Sequence, residues 1–194
     1  SVLTTLVTDE LDFPNLSMVG VDDRAAAYTA VDYLIRQGHR KIAVLGGPVT
    51  SYPSLMRRQG AQQAMEDAGI VFNDKLYGLS NYDFESAYHA MNSLLARRAE
   101  FTALFAMSDV IAFGAIRALV SAGLRVPEDV SVIGFDGITM SRYCVPVMTT
   151  IVQPSEQIAL QSIELLVRQI EHGSPAQTVT LQPELQQGES VRAI

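Results

Sequence analysis

Short apolar runs that end in polar or small residues, each followed by a stretch with helical periodicity, recur through this chain and leave it few folds. The fullest is Val130-Ser131-Val132-Ile133-Gly134-Phe135, entered through Pro127-Glu128-Asp129 and running out into Asp136-Gly137. A run apolar at nearly every position suits a strand covered on both faces, as in a parallel sheet. Similar runs at 42–45 and 103–107 end at Gly46-Gly47-Pro48 and Ser108-Asp109. Shorter ones at 3–8, 16–21, 76–79, 149–152 and 178–181 read as further strands. Between them, apolar residues at helical spacing predict helices over 24–37, 55–68, 83–97, 110–122 and 155–172. In the last of these, Ile158, Ala159, Ile163, Leu166 and Ile170 are expected to face inward. Strands alternating with helices in this way call for right-handed crossovers. The chain therefore reads as an α/β fold with a parallel sheet flanked by helices.

Charge decides what the chain cannot do by itself. Its 14 Lys and Arg stand against 21 Asp and Glu, a net charge of −7, and the basic residues form no cluster. Holding the phosphate backbone of DNA needs such a cluster, so any contact with DNA must come from another segment. The one cysteine, Cys144, excludes an internal disulfide and fits a reducing compartment, where it reads as a small buried thiol beside Tyr143. No apolar run nears the roughly 18 residues of a membrane span. The opening Ser1-Val2-Leu3-Thr4-Thr5 has neither the basic start nor the apolar stretch of a signal peptide. Its abruptness points to missing upstream sequence.

In open α/β sheets, ligands sit at the carboxyl ends of the strands, so residues at those ends are the site candidates. They are Asp9, Ser108, Asp109 and Asp136, with Arg57 and Tyr82 in or beside loops that open helices. Carboxylate acceptors, a forked guanidinium and an aromatic plate together suit a ligand rich in hydroxyls. Asp109, at the head of a helix, also reads simply as that helix's cap, and Asp136 as the start of a turn. Gly46-Gly47-Pro48 lacks the Gly-Lys-Ser/Thr ending of a phosphate loop and the third glycine of a dinucleotide fingerprint, so it reads as a strand-ending turn. His39, His89 and His172 are scattered, and no His or Cys pair has metal-ligand spacing. No serine has a Gly-x-Ser-x-Gly setting. No catalytic residue, metal or cofactor is expected.

Several stretches, in order along the chain, resemble the lac repressor and galactose repressor family of regulators. They are Gly38-His39-Arg40-Lys41-Ile42-Ala43-Val44-Leu45-Gly46-Gly47-Pro48, Arg57-Arg58-Gln59-Gly60, Ser108-Asp109-Val110-Ile111-Ala112-Phe113-Gly114-Ala115, Gly123-Leu124-Arg125-Val126-Pro127-Glu128-Asp129 with the run that follows it, and Thr149-Thr150-Ile151-Val152-Gln153-Pro154. The resemblance covers residues 6 to 183. Members of that family carry a helix-turn-helix headpiece, a hinge helix and a two-lobed sensor like the type I periplasmic sugar-binding proteins.

The resemblance implies an effector-sensing and dimerising domain of a cytoplasmic transcriptional repressor, without its headpiece. Residues 22–151 and 177–194 would form a complete C-terminal lobe; 1–21 and 152–176 would be remnants of an incomplete N-terminal lobe. The implied ligand is a small sugar or sugar derivative in the cleft between lobes. Arg57 matches the family's effector-binding arginine and Asp136 its effector-binding aspartate. Tyr82 falls where an aromatic stacking residue is often found, and Asp9 matches a carboxylate in the cleft. Ser108 stands where many members have Asn, Ser155 where some place an aromatic or polar contact, and Gly137 where a second aspartate is frequent. The implied partners are a second copy of the chain, packed through 83–97, 110–122 and 138–148, and DNA reached through a headpiece outside this chain. Tyr88, Met91, Ile116 and Tyr143 are the expected dimer contacts. The helix over 155–172 belongs to the truncated lobe, so its apolar face is expected to lack partners. A periplasmic sugar-binding transport receptor shares fold and cleft and is the alternative; an α/β enzyme would need a catalytic pair, and none is visible.

Overall fold

The computed structural model describes residues 16–194. The strand expected over 3–8 and the carboxylate of Asp9 lie outside the described residues. In chain order the elements are β1 (Met18–Val21), α1 (Asp23–Arg36), β2 (Ile42–Gly46), α2 (Tyr52–Asp67), β3 (Tyr77–Leu79), α3 (Phe84–Ala96) and β4 (Ala103–Ala106). Then come α4 (Asp109–Ser121), β5 (Ser131–Asp136), β6 (Thr149–Val152), α5 (Ser155–His172), β7 (Thr178–Leu181) and β8 (Glu184–Gln186). The chain divides into two compact units. One takes 23–152 with 184–194; the other takes 153–183 with, among the described residues, 16–22.

The larger unit is built on a sheet that, among the described residues, has six strands in the order β3-β2-β4-β5-β6-β8. All neighbours run parallel except β6 and β8, which run antiparallel. The apolar runs behave as their composition demands: every residue of β2 and β4 is buried, and β5 is buried up to its last residue, Asp136. Phe105, Leu104, Ile133 and Phe135 form the centre of the core. Helix α1 packs on α2, and α3 on α4. Met91, expected at a dimer contact, is fully buried within this core; it lies on the same helix face as Ala87 and Leu94, which the sheet covers. Helix α2 starts at Tyr52 rather than 55, because the Ser51 hydroxyl accepts from Ser54 N and Pro53 fits the first turn. Strand β8 has one apolar residue in three, so it carries no signal of its own; its ladder partner β6 makes it a strand.

In the smaller unit β1 pairs in parallel with β7, from Met18 opposite Thr178 to Val21 opposite Leu181. Helix α5 lays Ile158 and Leu165 against Val19, Val21, Val179 and Leu181. Two sequence expectations change here. The sequence places residues 177–194 whole with the larger unit, but the ladder with β1 takes β7 into the smaller one and leaves only 184–194. Of the residues expected inward on α5, Ile163 and Ile170 are 61% and 64% exposed. The helix is apolar on two stripes, and periodicity alone cannot say which stripe a sheet covers.

Candidate functional site

The chain leaves β2 for its neighbour β3, then returns to place β4 on the other side of β2. Loops therefore diverge between β2 and β4, and a crevice opens at such a switch point beyond the strands' carboxyl ends. Arg57 reaches this place from α2, which follows β2. It is only 6% exposed. Its Nε donates to Asp23 Oδ1 at 2.7 Å, and its Nη1 donates to the carbonyl of Met107, the residue after β4. The guanidinium lies over the Phe135 ring, 3.7 Å from its centroid. The same Nη1 is 3.6 Å from Asp136 Oδ1 at the tip of β5. The structure thus brings together the two residues that the sequence reading paired, and Arg57 is locked by an ion pair, a carbonyl and a ring.

Asp136 and Gly137 both have positive φ, 111° and 70°, a region L side chains avoid. Gly137 also needs its missing Cβ: one would come within 2.7 Å of the Val152 side chain. A second aspartate at this position would be strained for both reasons. Tyr82 also lies in the left-handed region, at φ 61°. Its ring rests on Gly47, where a Cβ would approach it to 2.0 Å. Gly46 ends β2, and Gly47 just beyond it seats an aromatic ring. The buried Tyr82 hydroxyl has no hydrogen-bond partner among the described residues, a situation that costs about 1–3 kcal/mol unless a partner arrives. Ser108 is buried and caps α4, accepting from Ile111 N at 3.1 Å. Ser155 is exposed in the first turn of α5, in the smaller unit, and donates to the Gln153 carbonyl.

Asp109 differs from its sequence reading. The cap of α4 is Ser108, and the Asp109 carboxylate turns away, fully buried. Thr150 Oγ1 on β6 donates to its Oδ1 at 2.6 Å, and Ile138 N donates to its Oδ2 at 2.8 Å. Burial lifts this carboxyl from 3.8 to about 6; the Asp136 carboxylate adds to the lift, while the Thr150 and Ile138 donors oppose it. Around Arg57, two carboxylates, Asp23 and Asp136, face one guanidinium. Such a balance repels anions and suits hydroxyl groups, which donate to carboxylates and accept from a guanidinium.

Elsewhere on the larger unit, a cavity of about 420 Å³ is lined by Ile116, Val120, Leu124, Val126, Val145 and Pro146. Val145 is 93% exposed and Tyr143 is 76% exposed. Cys144, between them, is half-buried rather than buried, and its thiol donates to the Ser141 and Pro146 carbonyls. Among the described residues no group of three or more His, Cys, Asp or Glu could hold a metal ion, and no helix is long and apolar enough to cross a membrane.

A family model described as a periplasmic binding protein-like domain matches residues 31–191. The HTH-type transcriptional repressor PurR of Histophilus somni is 35% identical over 181 residues, covering 93% of this chain and 54% of the repressor. A transcriptional regulator CelR–cellobiose complex superposes with a TM-score of 0.90 at 32% identity, over 96% of this chain and 57% of that one. A LacI-family regulator from Enterococcus faecium with bound ribose does so with a TM-score of 0.90 at 26% identity, over 99% and 71%. The chain spans about half the length of the curated relatives it matches, and those relatives are repressors, not enzymes. With an α/β fold, a parallel-dominated sheet and this match, the chain belongs to the periplasmic binding protein-like domain family, and its relatives are transcriptional repressors and LacI-family regulators.

Proposed function

We propose that this chain is the effector-sensing and dimerising part of a cytoplasmic transcriptional repressor. On this reading it binds a neutral, hydroxyl-rich ligand of the sugar class and controls operator binding by a headpiece outside the chain. The observation that carries the reading is the buried Arg57 guanidinium set 3.6 Å from Asp136 at the sheet's switch point. One hydroxyl of a sugar donates to Asp136 while its neighbour accepts from Arg57, and the excess of carboxylates there favours an uncharged ligand over a sugar phosphate. Tyr82 offers a ring for an apolar sugar face and a buried hydroxyl for a polar one; Ser108, tied to its cap, contributes by fixing the adjacent Met107 carbonyl. The solved relatives with cellobiose and ribose support a sugar.

Ligand binding shifts a dimer between DNA-competent and incompetent states only by its differential affinity for the two. The apolar cavity lined by Val120 and Val145, with Tyr143 exposed in the same segment, supports a face for a second copy related by a two-fold axis. The kinship to repressors favours this role over that of a transport receptor.

The test is calorimetry of ribose, cellobiose and a wider sugar panel against the intact protein. Binding should vanish in both Arg57→Ala and Asp136→Ala while folding persists, and the bound sugar should alter operator affinity in a gel-shift assay. Unchanged binding in both variants would remove the site. Sedimentation of Val145→Glu should show a monomer if the face is used.

A further inference from the structure

We infer that Asp109 is a positioning residue for the Arg57–Asp136 pair: its buried carboxylate pins the Ile138 N–H and so holds the Asp136–Gly137 turn that aims Asp136 at Arg57. The inference rests on the reading of that pair as the effector site and adds the part that keeps it in register.

Three observations carry it. Helix α4 does not need an acid at 109, because Ser108 already satisfies Ile111 N. A carboxylate buried for no local reason is costly, yet this one is held by two donors from different elements, Thr150 on β6 and Ile138 beyond β5. The turn it grips is one that needs gripping. Asp136 and Gly137 are consecutive residues at positive φ, a conformation kept only where the surroundings enforce it. The surroundings are also shaped around the carboxylate. A Cβ on Gly134 would come within 2.2 Å of Asp109 Oδ1, so the strand leaves a side chain out where Asp109 enters. Removing the pin frees the backbone one residue past Gly137, and the Asp136 carboxylate then loses its fixed direction.

Three variants of the intact protein separate positioning from simple stability. Asp109→Leu removes both acceptors. Ile138→Pro removes the donor from the other end at a backbone φ of −63° that a proline ring accepts, and its ring displaces the Asp109 carboxylate. Asp109→Asn restores the pin: its Oδ1 accepts from Ile138 N while its Nδ2 donates to the Thr150 hydroxyl. The ligand-free readout is the pair of NMR signals from the Asp136 amide and the Arg57 Nε–H; the liganded one is affinity for ribose and cellobiose.

In the Leu and Pro variants both signals should move and sugar affinity should fall by about tenfold or more, while Asn stays close to wild type. If Asp109→Leu does not fold, Ile138→Pro alone decides. Wild-type signals and affinity in folded Pro or Leu variants would overturn the inference. Signals that move in these variants, with neither sugar bound by wild type, support the positioning role and count instead against those sugars as ligands.

Discussion

The two units meet the same demand, an apolar face that must be covered, with different success. In the larger unit each strand of the β2, β4 and β5 group is buried along its length, and helices α1 to α4 cover it. In the smaller unit two strands and one helix share a core whose buried apolar residues, among those described, are Val19, Ile158 and Leu165. A second stripe on α5, Leu160, Ile163, Val167 and Ile170, stays exposed. Among the described residues the larger unit therefore buries far more apolar surface, and its core also holds a strained turn and a buried acid.

The strongest test of this contrast is Phe105→Ala on β4. It should cost about 3–5 kcal/mol in urea unfolding, with the whole larger unit melting together; a loss below about 1 kcal/mol would mean that the core is not where the contrast puts it. Next comes the buried acid. The Asp109 carboxyl binds its proton more tightly folded, at about 6, than at its ordinary 3.8. Its favourable contribution is full below the unfolded value and is lost as pH rises through about 6. Relative to Asp109→Asn, wild-type stability should therefore fall by about 3 kcal/mol across that window, and parallel pH profiles for the two proteins would refute the assignment. In the smaller unit, Gly173 ends α5 at φ 61°. Gly173→Ala should cost about 1 kcal/mol, visible as faster amide exchange in α5 with β4 unchanged. The smallest effect is expected for Ile163→Ala on the exposed stripe, within about 0.5 kcal/mol. A loss rivalling that of Phe105→Ala would show that the stripe is covered.

Much of the fold was legible because strands and helices here are written in local pattern. The runs at 42–45, 103–107 and 130–135 form buried strands, and the polar or small residues after them end those strands. What was misread had its cause elsewhere in the chain. Strand β8 takes its form from β6, the Thr178–Leu181 ladder belongs with β1, and α5 buries whichever of its two stripes a sheet happens to meet. Of the site, Asp136 could be found from its place at a strand tip and Arg57 from its motif. Asp109 is a candidate by the same rule, but its task was not legible, since an acid at a helix start looks like a cap and only the structure shows Ser108 in that role.

The sequence by itself determined that the chain would form a parallel α/β sheet with a carboxylate at the end of its most buried strand, because period and composition act over a few residues. Only the tertiary structure decided what that carboxylate faces. Arg57 meets Asp136 from 79 positions away, and the Asp109 carboxylate reaches Ile138 and Thr150, 29 and 41 positions along the chain. Hydrogen bonds and ion pairs depend on distance in space, and the folding of β2, β4, β5 and β6 side by side is what makes those distances short.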